Sequence, residues 1–231
     1  MKYFAIPLLI LSTSVCHAIP NIAVSQDHLC LKSSLKLPLI EGGNLTQQTT
    51  YSGPLLNFDR DANSRLTAKD GSSPSDEVVT YANSTADISS FGFDLFTIAE
   101  FYFPGSPSTP SQQTWNPNQD PKHVAKGALQ WRFRSDSNTT AYMIFQVRGI
   151  QGFVQAKLVD ITTNNIVVDY QESNYVEHHK VGDFKIYANH IYTLTARLSE
   201  SHHQDDDESA ISFYFNEPVN WLRATRKVGG C

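Results

Sequence analysis

The chain has 231 residues, of which 40% are hydrophobic and 18% charged, and its formal net charge is −5. This length and apolar content fit one globular domain and exclude a disordered or collagen-like chain. The acidic charge argues against a nucleic-acid partner or an anionic membrane surface, since either would require a basic face. No complete catalytic or cofactor motif is present, so the sequence predicts compartment and fold class more sharply than activity.

The first eighteen residues have the pattern of a secretory signal peptide. Lys2 is followed by an apolar run at 4–11, and Cys16 and Ala18 are the small residues expected before a cleavage site. The apolar run is shorter than the about 20 residues needed to span a bilayer. We therefore expect residues 1–18 to be removed and residues 19–231 to form a secreted domain, extracellular or periplasmic according to the source. No membrane span is predicted.

Cleavage removes Lys2 and Cys16, which changes the formal charge to −6 and leaves Cys30 and Cys231. Two cysteines in an exported chain predict one disulfide, which here would tie the two ends of the domain together. The alternative is that Cys231, the last residue, is free or pairs with another molecule. The acidic run 205–208 supplies four of the negative charges, so the rest of the mature chain is close to neutral.

A hydrophobic period of two, rather than 3.6, runs through most of the chain after residue 50 and indicates β-strands. Residues 19–50 are mixed and turn-rich, with one short apolar piece at 35–40 as a candidate edge strand. No segment combines a helical apolar stripe with helix caps, and the proline-rich stretch 104–121 is predicted to be a surface loop. The predicted strands cover residues 53–58, 77–82, 91–103, 127–134, 141–148, 153–161, 165–170, 184–188, 190–199 and 210–216.

About ten short strands with turns between them are typical of a β-sandwich or jelly roll. The stretch 162–165, which contains two Thr and two Asn between β-branched runs, predicts a hairpin turn. Internal repeats are not evident, and neither half of the chain looks self-sufficient. We therefore predict an all-β fold, a single-domain antiparallel β-sandwich that is jelly-roll-like.

Three consecutive predicted strands alternate apolar and polar side chains. If they are neighbours in one sheet, as consecutive strands usually are, their polar positions merge into one outer face. Such a face suits a glycan, because amides donate and accept hydrogen bonds, Arg binds carboxylates in bidentate fashion, and aromatic rings stack on sugars. The alternative is an ordinary solvated sheet face. The predicted ligand-binding residues are Gln130, Arg132, Arg134, Tyr142, Gln146, Arg148, Gln155 and Lys157.

One twelve-residue stretch places oxygen-bearing side chains at alternate positions. Its candidate ligands are Asp59, Asp61, Asn63, Thr67 and Asp70. The spacing resembles the calcium loop of EF-hand and dockerin proteins, in which alternate oxygens surround a hard cation. Such loops have a glycine at the place that serine occupies here, and no helix is predicted on either side. Calcium is therefore the one cofactor that the sequence suggests, and an acidic hairpin turn is the alternative.

The chain shows no recognisable catalytic set. Hydrolase motifs built on Ser, Cys or zinc ligands are absent, and the few acidic residues on predicted strands form no evident pair. We therefore expect a secreted, non-catalytic protein that binds an extracellular glycan or surface ligand. One alternative is a structural or adhesive surface protein. Another is a lyase-type enzyme acting on acidic polysaccharide, with a face made of Gln130, Arg132, Tyr142, Gln146 and Arg148.

Overall fold

A computed structural model describes residues 18–56, 59–73, 76–105, 113–148, 151–201 and 207–223. None of these residues is helical, and their strands form two sheets that pack face to face, which confirms the predicted β-sandwich. Within the same ranges, no helix is long and apolar enough to cross a membrane. The strands are β1 (Asn21–Pro38), β2 (Asn44–Gly53), β3 (Arg60–Lys69), β4 (Glu77–Ile88), β5 (Gly92–Gly105), β6 (Lys122–Ser135), β7 (Thr139–Arg148), β8 (Phe153–Asp160), β9 (Asn165–Glu172), β10 (Val176–Ile186), β11 (Ile191–Ser201), β12 (Asp207–Phe215) and β13 (Asn220–Arg223).

One sheet has seven strands and the other has six. In the seven-stranded sheet, β13 and β2 pair with β1, and the order continues through β6, β11 and β8 to β9. The order in the six-stranded sheet is β10-β7-β12-β5-β4-β3. The pairings between the named strands are antiparallel except that of β1 with β13. The chain crosses repeatedly between the sheets, so strands that follow each other in sequence often lie in opposite sheets.

Inward-facing side chains of both sheets form the core, because successive residues of a strand point to opposite sides. Trp131 of β6 is fully buried and packs edge to face on Phe93 of β5, with 4.9 Å between the ring centroids. The indole nitrogen of Trp131 donates to the carboxylate of Asp27 at 2.8 Å. Burial of a large aromatic side chain contributes roughly 2–3 kcal/mol. This core fixes which side of each strand faces outward.

The prediction that residues 19–50 are irregular is wrong, because they form β1 and most of β2. Two features of β1 conceal its period of two. A β-bulge between Val24 and Gln26 shifts the alternation by one residue. Ser33 faces inward, where its hydroxyl lies 2.6 Å from that of Ser64, so a polar residue occupies a core position.

Of the other predicted strands, 53–58 meets β2 only at Gly53, and the rest coincide with or overlap strands of the structure, although several begin earlier than predicted. β6 begins at Lys122 and β10 begins at Val176. The turn predicted at 162–165 connects β8 to β9, with Asn164 in the left-handed region at a φ of 58°. Residues 54–56, which were expected to be extended, are not in a strand.

Some predictions concern residues wholly or partly outside those that the structure describes. Of the predicted surface loop 104–121, the structure describes 104–105, which belong to β5, and 113–121. The predicted signal peptide lies outside the described residues except for Ala18, and Cys231 lies outside them as well. β1 begins at Asn21, so cleavage after Ala18 would leave every described strand intact. Cys30 lies on β1, and its pairing with Cys231 stays a prediction.

Candidate functional site

The face predicted from three consecutive strands does not form, because those strands belong to different sheets. β6 and β8 lie in the seven-stranded sheet, whereas β7 lies in the six-stranded sheet. The same separation divides the five residues of the alternative lyase face. Outward positions on the seven-stranded sheet hold Gln130, Arg132, Arg134, Gln155 and Lys157, and outward positions on the six-stranded sheet hold Tyr142, Gln146 and Arg148.

On the six-stranded sheet, the predicted ligand-binding residues are engaged by their neighbours. Arg148 of β7 lies 2.8 Å from Glu208 of β12 and 3.4 Å from Glu177 of β10. The side-chain amide of Gln146, only 8% exposed, donates to Glu208 as well. Lys180 packs over the ring of Tyr142, with its ammonium group 4.5 Å from the ring centroid. These polar groups therefore satisfy one another within the sheet.

One member of a like-charge pair on this face is held by neighbouring hydroxyl groups. Asp94 of β5 lies opposite Asp87 of β4. The hydroxyls of Tyr214 and Ser212 donate to the Asp94 carboxylate at 2.6 Å and 2.5 Å. Burial and this carboxylate raise the pKa of Tyr214 far above its usual value. Tyr214 therefore stays a neutral hydrogen-bond donor to Asp94 at physiological pH.

The outward positions of the seven-stranded sheet are basic, and we call this surface the basic face. Of its cations, Lys157 alone forms an ion pair with a residue that the structure describes, namely Asp169 of β9 at 2.7 Å. The others form no such pair within the described ranges. The cations of the basic face are Lys32, Lys36, Lys122, Lys126, Arg132, Arg134, Lys157 and Arg197.

Lysines oppose lysines across the ladder between β1 and β6. Lys32 lies directly opposite Lys126, and Lys36 lies directly opposite Lys122. Like charges at directly opposite positions destabilise a pair of strands. A carboxylate at one position of each pair would remove this repulsion, and the sequence has lysine instead. The arrangement favours an anion that comes from outside the described part of the chain.

A shallow cavity of about 550 Å³ opens on the basic face. Its basic walls are Lys32 of β1, Lys126 of β6 and Arg197 of β11. The small side chains of Cys30 and Ala128 lie between these long ones and form the floor. Ammonium groups and a guanidinium group around one depression suit a carboxylate or sulfate, which the guanidinium can bind through two parallel hydrogen bonds.

A second cavity, of about 350 Å³, lies farther along the same face. It occurs where β1 bulges at Ser25, whose hydroxyl donates to the backbone oxygen of Arg132 at 3.0 Å. Arg132 and Arg134 of β6 line this cavity, with Ile191 of β11 as an apolar neighbour. Bulges often occur next to functional sites, where they redirect side chains. Two of the predicted ligand-binding residues therefore lie beside a depression.

Sequence reasoning missed the part of the basic face that β1 and β11 contribute. Lys32 was overlooked because β1 was not recognised as a strand, although its outward and inward residues alternate regularly after Leu29. Arg197 lies in a predicted strand, but its position beside β6 follows from the sheet order, which the sequence does not reveal. The alternation after Leu29 is the signal that could have identified Lys32.

The structure contradicts the predicted calcium loop, because these residues lie along β3 and its two ends. Asp61, Asn63 and Thr67 belong to a strand that pairs with β4 throughout its length. An extended chain advances about 3.3 Å per residue, so Asp59 and Asp70 are on the order of 30 Å apart. Five oxygens spread along a strand cannot surround one ion. Among the described residues, no group of three or more His, Cys, Asp and Glu side chains could hold a metal.

The chain matches no protein-family model and no curated protein. The pairing of charges and the cavities distinguish the two outer faces. On the six-stranded sheet, Arg148, Gln146 and Asp94 are engaged by neighbouring side chains, whereas the basic face combines cations that lack a described ion partner with two cavities. The basic face is the candidate functional site.

Proposed function

We propose that this protein is exported and binds an extracellular glycan or cell-surface ligand through the basic face, without catalysing a reaction on it. The observation that carries this proposal is the lysine pair across β1 and β6, at the wall of the larger cavity. Repulsion between these lysines costs stability in the free protein. A bound anion would offset that cost, which gives the arrangement a physical reason.

The residues around the cavities offer the contacts that a sugar chain requires. Arg197 and Arg132 can each hold a carboxylate or sulfate through two hydrogen bonds. Gln130 lies outward between the two cavities on β6, and its amide can both donate to and accept from hydroxyl groups. Phe153 of β8 lines one end of the larger cavity, where its ring can pack on the apolar side of a sugar.

Binding to immobilised polygalacturonate and to a neutral polysaccharide tests the proposal. We expect the wild-type protein to be retained on the acidic polymer and the double variant Lys126→Ala with Arg197→Ala to bind at least about tenfold more weakly. Arg65→Ala is the matched control, because Arg65 is an exposed cation of β3 on the other sheet. It should bind like wild type. Equal retention of all three proteins, or no retention of wild type on any glycan or cell surface, would contradict the proposal.

The absence of catalysis has its own test. The wild-type protein is incubated with polygalacturonate while ultraviolet absorption is followed. We expect a constant signal, since the proposal assigns the basic face to binding alone. A rise in absorption from an unsaturated sugar would overturn this part of the proposal and favour the lyase alternative.

Export is tested on the protein recovered from outside the producing cell. We expect its mature chain to begin at Ile19, because cleavage after Ala18 follows the small-residue rule and precedes β1. Mass spectrometry of the N-terminal peptide measures this. A secreted chain that still carries Met1, or retention of the protein inside the cell, would contradict the export proposal.

The predicted disulfide would also affect the basic face, because Cys30 lies on the floor of the larger cavity. A bond from Cys30 to Cys231 would hold the C-terminus of the chain beside this cavity. Peptide mapping without reduction should show the two cysteines in one linked peptide. Alkylation of Cys231 in the unreduced native protein would show instead that the pairing is wrong.

A further inference from the structure

We propose that the ligand is a linear polyanionic glycan that runs along β6 and occupies both cavities of the basic face at once. This inference rests on the proposed function and specifies both the class of ligand and its path. The shared chemistry is a sugar chain that bears carboxylate or sulfate groups at intervals.

The first support is the position of the two cavities along one strand. β6 contributes Lys126 to the larger cavity, and Arg132 and Arg134 to the smaller one. From Lys126 to Arg134 is eight residues of extended chain, or about 27 Å at about 3.4 Å per residue. β1 and β11 flank β6 on its two sides, so both cavities open on the same outer face. A single extended ligand can therefore reach both.

The second support is the neutral stretch between the two basic regions. At its centre, Gln130 lies opposite His28 of β1 and Thr195 of β11. An amide, an imidazole and a hydroxyl side by side can exchange hydrogen bonds with sugar hydroxyls. The same row continues from Thr195 to Lys157 of β8, whose charge is neutralised by Asp169. The face therefore alternates from basic to neutral to basic. That order matches a chain whose anionic groups are separated by hydroxyl-bearing units.

The same pattern disfavours single-stranded nucleic acid. Such strands carry a phosphate at every nucleotide, and proteins hold them by stacking the bases on aromatic side chains. From Lys122 to Arg134, the outward positions of β6 hold no aromatic residue. Phe153, at one end of the larger cavity, cannot provide a row of stacking platforms. The observations therefore favour a glycan.

Occupation of two cavities by one chain has a measurable consequence. A ligand that reaches both gains affinity because its second contact is intramolecular, with gains of 10²–10⁴-fold in favourable cases. Fragments shorter than about 27 Å can fill only one cavity at a time. Affinity should therefore rise steeply once the ligand exceeds that length.

The experiment is calorimetric titration of the full chain with oligogalacturonates of defined length, some shorter and some longer than the span. Two double variants each remove one cavity: Lys126→Ala with Arg197→Ala, and Arg132→Ala with Arg134→Ala. In wild type, we expect the long oligomers to bind at least about tenfold more tightly than the short ones. This ratio should fall to near one in both double variants and stay unchanged in Arg65→Ala. Oligomers of dextran sulfate distinguish sulfate from carboxylate recognition.

Each outcome has a distinct meaning. Equal binding of long and short oligomers by wild type would overturn the two-cavity inference and leave the proposed function standing. Failure of wild type to bind any glycan or surface would refute the proposed function itself. Single-stranded DNA of the same length that binds as tightly, through the same residues, would show that the ligand class is wrong. Melting temperatures check the folding of each variant, and Gln replacements substitute for any Ala variant that does not fold.

Discussion

On the outer face of the six-stranded sheet, Arg148 lies within 3.4 Å of two carboxylates, whereas on the seven-stranded sheet Lys32 lies opposite Lys126. Glu208 and Glu177, which belong to neighbouring strands of the same sheet, neutralise the charge of Arg148. The two lysines form no ion pair with a described carboxylate and instead line a cavity. The first arrangement contributes modestly to stability, and the second costs stability. A binding face is recognised here by cations that form no ion pair within the described part of the chain, more than by its content of polar residues.

The two faces also explain how an acidic protein can bind an anion. The six-stranded sheet has acids at several outward positions, whereas the outward positions of β1, β6 and β11 hold none. At physiological ionic strength, a charge is felt over about 8 Å, so local cations determine what approaches each face. The exclusion of anionic partners from net charge therefore does not extend to the basic face. The outward acids of the six-stranded sheet include Asp61, Asp87, Asp94, Glu100, Glu177 and Glu208.

The largest expected effect is on the free energy of unfolding. It tests whether the charged groups of the seven-stranded sheet lack ion partners in general or only on the outer face. Asp160, at the end of β8, is buried and lies 2.7 Å from the His190 ring nitrogen. Burial would raise the pKa of Asp160, but hydrogen bonds from His190 and Thr163 outweigh it and hold the pKa below its usual value. Asp160→Asn should lower the free energy of unfolding by about 1–3 kcal/mol at neutral pH.

The pH dependence of this effect has a definite sign. A carboxyl group whose pKa is lower in the folded chain adds stability that is fully present above its unfolded pKa of about 3.9. That stability is lost as the pH falls through the folded pKa. Urea unfolding at several pH values should therefore show a steeper acid loss in wild type than in Asp160→Asn. Identical pH profiles for the two proteins would contradict the role of this pair.

The next effect concerns salt. Binding of polygalacturonate through the cations of the basic face should weaken at least about tenfold between low salt and 1 M salt, because the screening length falls to about 3 Å. Titration calorimetry at the two salt concentrations measures this. The double variant Lys126→Ala with Arg197→Ala should show a smaller loss. Affinity that does not change with salt would mean that the cations of the basic face do not hold the ligand.

A smaller effect is expected on the paired face. Glu208→Gln removes one of the two carboxylates beside Arg148 while retaining a polar side chain near Gln146. Because Arg148 is partly exposed, we expect a loss of about 1 kcal/mol or less in unfolding free energy. Glycan binding should be unchanged, since this face lies across the sandwich from the cavities. A drop in binding without loss of stability would indicate that the ligand binds the six-stranded sheet, which would contradict the assignment to the basic face.

The sequence was sufficient to predict the sandwich and the direction of side chains within a strand. The alternation in β6 correctly placed Gln130 and Arg132 outward, because a period of two depends on local geometry alone. The same period could not show that β7 joins the opposite sheet. It also could not pair Lys32 with Lys126, which lie far apart in sequence. Sheet order depends on long-range packing, which local patterns do not encode.

The calcium prediction failed for a related reason. Alternate oxygens fit a calcium loop, and they also fit the outward side of a strand, since both repeat every second residue. In β3, Ala62 and Ser64 are buried while Asp61 and Asn63 are exposed, as a strand requires. Ser64 could have decided between a calcium loop and a strand, because a calcium loop needs glycine at this position for its sharp turn.

The most direct test of the central claim is the single substitution Lys126→Glu, with stability and binding measured on the same protein. The claim is that the basic face gives up stability in order to hold an anion. An acid opposite Lys32 should turn repulsion into attraction worth a few tenths of a kcal/mol, which raises the melting temperature by about 1 °C. Binding of polygalacturonate should fall at least about tenfold. A lower melting temperature together with unchanged binding would contradict the account.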